Sequence, residues 1–124
     1  MQLLALVVDD SMLIRHTVCR FLETRGFTVE SATNGVEALE MLDGIQPDII
    51  VTDLQMPKMD GLELINALRS RPNTAAIPVV ILAGKQGPEQ TSAMDGHYVI
   101  YKDIDIVAQL GRAVETVLPG SCNP

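Results

Sequence analysis

Several short stretches of this chain are apolar at consecutive positions, and that constrains its fold more than any other feature. Leu3–Val8 reads Leu-Leu-Ala-Leu-Val-Val, 49–51 reads Ile-Ile-Val, and the run 77–82 closes in Val79-Val80-Ile81-Leu82. A strand with one wet face alternates apolar and polar residues. A short run apolar throughout, bounded by turn residues, suits a strand buried on both faces of a parallel sheet. Two of the runs end in acid. Asp9-Asp10 follows the first, and Asp53 follows Thr52 at the end of the central one. Asp53 is expected where its strand meets its loop, at the carboxyl edge where open α/β sheets place their chemistry. If the two strands are neighbours, three carboxylates converge there. They repel one another, which points to a hard divalent cation with oxygen ligands.

Helical patterns separate the runs. After Ser11, a suitable N-cap, Ile14, Val18, Phe21, Leu22 and Arg25 recur at helical spacing up to Gly26. A strand is expected over 27–31, with Phe27 and Val29 on one face. Asn34-Gly35 reads as a turn, and Val36, Leu39, Met41 and Leu42 mark a short helix that stops at Gly44. Pro47 introduces the central strand, 48–52. Asp60-Gly61 opens a helix with Leu62, Leu64, Ile65 and Leu68 apolar, ending near Arg71-Pro72. The fourth strand is expected over 77–82 and the fifth over Tyr98–Tyr101. The segment 88–96 is mostly polar, so a helix there would be short and poorly anchored. Asp103 or Asp105 starts the last helix, with Ile106, Leu110, Ala113, Val114 and Val117 as its stripe. Strands alternating with amphipathic helices imply a doubly wound parallel sheet with right-handed crossovers. The flavodoxin-like order 2-1-3-4-5 would place strands one and three side by side.

At 124 residues the chain is expected to be one domain, spanning 1–119 with a tail at 120–124. Its net charge of −7 disfavours a nucleic-acid surface, which needs a basic patch. No apolar run approaches the length of about 20 residues that spans a bilayer. No basic segment precedes a long apolar one, so no signal peptide is expected. Two cysteines, Cys19 and Cys122, make no disulfide framework. Together these features point to the cytoplasm.

The chain resembles a response-regulator receiver domain of the chemotaxis-regulator (CheY-like) type over about 3–118. The resemblance rests on Val7-Val8-Asp9-Asp10-Ser11, on Asp53-Leu54-Gln55-Met56-Pro57-Lys58-Met59-Asp60-Gly61, and on Lys102 after the fifth strand. It implies a (βα)5 fold and a phosphorelay function. A phosphoryl group would pass from a phosphohistidine, on a sensor histidine kinase or phosphotransfer protein, to Asp53. The resemblance further implies Mg²⁺ held directly by Asp10, Asp53 and the backbone carbonyl of Gln55, with Asp9 acting through water. Lys102 would meet a phosphoryl oxygen as a point charge. The expected output is a conformational shift read by a protein target or an output domain outside this chain. Dimerisation is left open, and no direct contact with nucleic acid or membrane is expected. At most the chain would catalyse its own phosphorylation and slow self-dephosphorylation.

Three positions and the length of one stretch depart from that pattern. The residue expected to carry a Thr or Ser hydroxyl is Ala83, which loses a bond worth roughly 1.5–3 kcal/mol to a charged group. The aromatic expected three residues before the Lys is Val99, and both Tyr98 and Tyr101 are expected to face away from it. The stretch from Ala83 to Lys102 looks short, so the fourth helix is expected to be short or irregular. Asp103 follows Lys102 where a proline in a cis bond is usual, and a cis bond here would cost about 2.5–4 kcal/mol. These departures favour an alternative, a degenerate receiver acting as a phosphorylation-independent interaction module. A haloacid-dehalogenase-type phosphatase also uses an Asp nucleophile with Mg²⁺. That class needs a second Asp two residues on, where this chain has Gln55.

Overall fold

The computed structural model describes residues 3–53, 59, 61–83, 98–101 and 105–117. Five strands form one parallel sheet: β1 (Leu3–Val8), β2 (Phe27–Ala32), β3 (Ile49–Asp53), β4 (Val79–Ala83) and β5 (Tyr98–Tyr101). Their spatial order is β2-β1-β3-β4-β5, as the alternation of elements implied. The helices among the described residues are α1 (Met12–Thr24), α2 (Gly35–Met41), α3 (Gly61–Arg69) and α4 (Ile106–Val117). The helix expected between β4 and β5 falls outside the described residues, as do Lys102, Asp103 and the tail.

Both faces of the sheet are covered. All five residues of β3 and all five of β4 are buried. Alternate residues feed two apolar layers. Ala5, Val7, Ile49, Val51, Val80, Leu82 and Ile100 meet Val18 and Leu22 of α1 and Leu110, Ala113 and Val114 of α4. Leu6, Val8, Ile50, Val79 and Ile81 meet Ala38 and Leu42 at α2 and Leu64, Ile65 and Leu68 of α3. Burying one such leucine contributes about 1.5–3 kcal/mol, so a core that is aliphatic apart from Phe27 suffices. Tyr98 packs with the first layer and Val99 with the second, so the two face apart. Position 101 has the parity of 99 rather than of 98, so the sequence pattern itself does not set Tyr101 opposite Val99; the Tyr101 side chain lies outside those described.

Local signals set the helix ends. The Ser11 hydroxyl accepts from the Ile14 amide at 3.3 Å, and Gly26 leaves α1 with φ +93°. Asn34-Gly35 is not a free turn. Asn34 caps α2 by accepting the Glu37 amide at 2.9 Å, while Glu37 Oε1 reaches back to the Thr33 amide at 2.6 Å. This is a close variant of the capping box. Val36, expected on the core side, is exposed instead, and Ala38 takes the buried position. Asp105 rather than Asp103 starts the last helix, its Oδ1 accepting the Ala108 amide at 3.2 Å. The fourth strand begins two residues later than expected. Pro78 has no N–H for a ladder bond, although its carbonyl accepts the Ile50 amide at 3.0 Å.

Beyond the shared apolar layer, α1 and α4 also meet through Arg25. The Arg25 guanidinium lies 5.0 Å from the centre of the Phe21 ring and 3.5 Å from Glu115 Oε2. Gly111 leaves room for it, since a Cβ there would lie 2.9 Å from Arg25 Nη2. The ion pair is exposed and adds little alone. The guanidinium over the ring and against Gly111 adds to the apolar packing between the two helices.

Candidate functional site: a carboxylate cluster at the sheet edge

The parallel register brings the acids together. Val8 of β1 pairs with Thr52 of β3, so the next residues, Asp9 and Asp53, emerge side by side at the carboxyl edge. Asp9 is buried, Asp53 is buried, and Asp10 is exposed. One carboxylate oxygen from each lies within 4.8 Å of the others.

Local bonds hold this geometry. The Asp9 amide donates to the Ala32 carbonyl at 3.1 Å, which ties the end of β1 to the end of β2. Asp9 Oδ1 accepts the Ser11 amide at 2.8 Å, and this bends the chain into α1. Beneath Asp53, the Thr52 hydroxyl donates to the Asp53 carbonyl at 3.0 Å. Arg15 Nη1 donates to the Asp9 carbonyl at 2.9 Å and so brings a guanidinium next to the acids. The sequence reading passed over Arg15. Its signal was positional: a cation in the first turn of a helix opposes the helix dipole, so its placement calls for another interaction.

The donor set fits a hard cation. Octahedral Mg²⁺ has bonds of 2.0–2.1 Å, so direct ligands on one ion lie at most about 4.2 Å apart. Carboxylate oxygens within 4.8 Å need only a small closure, or one bridging water, to share such an ion.

Ala83 ends β4, fully buried, one position past the Asp53–Leu82 pair. Its methyl group offers nothing to a phosphoryl oxygen. Gln55 and Lys102 lie outside the described residues. Cys19 does not belong to this site. It is half-buried in an open groove with Met12, Arg15, His16 and Ser31. Burial pushes its thiol pKa up, Glu23 adds to the rise, and Arg15 opposes it.

Residues 5–111 match the response regulator receiver domain family. The chain is 41% identical over 91 residues to the response regulator MprA of Mycobacterium ulcerans, covering 73% of this chain and 38% of that protein. It is 42% identical over 88 residues to a gliding motility regulatory protein of Myxococcus xanthus, covering 71% of this chain and 11% of that one. It therefore spans well under half the length of either relative. Among solved structures, the chemotaxis response regulator CheY4 of Vibrio cholerae superposes with a TM-score of 0.87 at 30% identity, covering 95% of this chain and all of that one. The receiver domain of a signal transduction histidine kinase from Syntrophus aciditrophicus gives 0.83 at 32% identity, covering 94% of this chain and 90% of that one. A matched family over most of the chain, the same sheet order and a carboxylate cluster at its edge lead to one conclusion: the chain belongs to the response regulator receiver domain family.

Proposed function

We propose that this chain accepts a phosphoryl group on Asp53. The observation that carries the reading is the cluster itself. Asp53 is buried at the edge of the sheet with carboxylate oxygens of Asp9 and Asp10 within 4.8 Å. In the proposed step, an Asp53 carboxylate oxygen attacks the phosphorus of a phosphohistidine. A P–O bond forms as the P–N bond breaks, and the imidazole leaves and takes up a proton from solvent. The products are an acyl phosphate and free histidine. Asp10, Asp53 and the Gln55 carbonyl would hold Mg²⁺, with Asp9 through water. When bound, the ion offsets the negative charge gathered between carboxylates and phosphoryl oxygens. Lys102 would neutralise one phosphoryl oxygen. Arg15 keeps the chain at Asp9 in place and lessens the repulsion at the edge.

The donor is proposed to be a sensor histidine kinase or a phosphotransfer protein acting in the cytoplasm. Met12 and Leu13 support a protein donor. They are 75% and 73% exposed in the first turn of α1, which leaves directly from the acidic edge. Apolar side chains beside a charged site suit a partner that must dock before transfer. The signal is proposed to be a shift of conformational equilibrium, read by a downstream protein or by an output domain outside this chain. The receiver unit is taken as 1–119. Ala83 and Val99 favour a second reading, a receiver that binds its partner without being phosphorylated.

Intact mass decides between them. The chain is incubated with acetyl phosphate, and separately with a phosphorylated phosphotransfer protein, with and without Mg²⁺, beside an Asp53→Ala variant. The expected result is a gain of one phosphoryl mass that needs both Mg²⁺ and Asp53. No gain from either donor, with the fold intact, would overturn the phosphoacceptor reading and leave the interaction module.

A further inference from the structure

Gly35 opens α2 with no positive φ; among the described glycines only Gly26 has one. The lack of a side chain at Gly35 is therefore a matter of space. A Cβ there would lie 2.8 Å from Cγ, 2.9 Å from Cβ and 2.9 Å from Sδ of Met59. Met59 stands in the connection from β3 to α3, six positions after Asp53. It packs against the apolar layer under α2 and α3.

These contacts decide which part must give way. A flexible tip can swing aside, but Met59 Cβ is fixed by its own backbone and no rotamer moves it. With a side chain at residue 35, either the start of α2 or the backbone of the connection shifts. The start of α2 is firmly held. Asn34 caps it, Glu37 bonds back to Thr33, and Ala38 and Leu42 are buried in the core. Just upstream, the Ala32 carbonyl accepts the Asp9 amide. A side chain at residue 35 would therefore press on Met59 rather than reseat the start of α2.

We propose that Gly35 is a positioning residue for the carboxylate cluster. Its bare Cα seats Met59 against the start of α2. That seat fixes the far end of the Asp53 connection to the same β1–β2 edge that carries Asp9. The two halves of the acidic site are thus registered by a contact that touches neither a metal ligand nor substrate. The inference rests on the Mg²⁺ reading of the cluster.

Calorimetric titration with Mg²⁺ tests it on the wild-type chain, Gly35→Ala, Met59→Gly and the Gly35→Ala/Met59→Gly double variant. Outer partners of metal ligands typically change affinity by 10–100-fold, so Gly35→Ala is expected to raise the Mg²⁺ Kd about tenfold. Its melting temperature without Mg²⁺ should fall, because the clash with Met59 Cβ outweighs the better helix propensity of Ala. In the double variant the Kd should return to that of Met59→Gly. A purely structural role would move the melting temperature and leave the Kd alone. A Gly35→Ala Kd within twofold of wild type overturns the inference while the site reading stands. A wild-type chain that takes up no Mg²⁺ overturns both. Should Gly35→Ala fail to fold, Met59→Ala decides. It removes two of the three contact atoms, so its Kd should rise, and an unchanged Kd overturns the inference.

Discussion

Replacing Asp53 with Asn should make the metal-free protein more stable, not less. Asn keeps the size of the buried side chain and removes its charge. Coulomb's law with an effective dielectric of about 20 gives about 3.5 kcal/mol of repulsion for two unit charges 4.8 Å apart, the outer limit for the buried pair Asp9 and Asp53. The fold already recovers part of this. The Ser11 amide bonds Asp9 Oδ1, and Arg15 sits on the Asp9 carbonyl. A net gain of about 1–2 kcal/mol remains, worth roughly 3–10 °C in melting temperature for a chain of this size. Added Mg²⁺ should reverse the ranking. At one hundred times its Kd, a ligand adds about 2.7 kcal/mol to the species that binds it. Wild type should gain close to that, and Asp53→Asn a small fraction. Urea and thermal melts, with and without Mg²⁺, check both halves. A metal-free Asp53→Asn variant that melts below wild type would refute the reasoning. It would mean that the Asp53 charge is balanced within the apo fold.

Three further outcomes follow from particular residues. Ala83→Ser places a hydroxyl at the buried end of β4, so the proposed acyl phosphate on Asp53 should form about tenfold faster or persist about tenfold longer, from a bond of about 1.5 kcal/mol; intact mass against time measures it. Gly26→Ala should cost about 1–2 kcal/mol in denaturant melts, because no atom crowds the new methyl and the penalty is that of the left-handed backbone alone. Cys19 should alkylate more slowly at mildly alkaline pH than a free cysteine, and unfolding should abolish the difference. The sign for stability follows. The folded thiol holds its proton to higher pH than the unfolded one, so its contribution is complete below the unfolded pKa. It is lost as pH rises through the folded value.

The features readable in the sequence were those set by consecutive residues. β1 and β5 fall where the apolar runs placed them, and both ends of α1 follow from Ser11 and Gly26. The pairing of β1 with β3 followed from topology, and with it the meeting of Asp9, Asp10 and Asp53. The misread features depend on contacts across the chain. Asn34-Gly35 has the composition of a turn, yet Glu37 and the packing of Ala38 convert it into a helix start. Pro78 sits inside an apolar run and delays β4 by two residues. Within the site, adjacency made Asp9 and Asp10 look alike. Only the β1–β2 tie and the Ser11 bond decide that Asp9 is buried and Asp10 is not. The Gly35–Met59 seat leaves no mark in any local pattern, because its partners are remote in sequence, and Arg15 shows only as a cation in the first turn of a helix.

The two apolar layers also differ in when their parts are synthesised. Every buried member of the layer under α2 and α3 has been made by residue 81, whereas the layer under α1 needs Leu110, Ala113 and Val114 of α4. The gap, 114 − 81, is 33 residues. At about 5–20 residues per second of translation, it lasts roughly 2–7 s. In that interval Val18 and Leu22 lack the α4 residues they pack with, while the buried members of the other layer, among the described residues, are all present. The nascent chain thus meets the cell one-sided, and α1 is the surface on which a chaperone, or a wrong neighbour, would first find purchase.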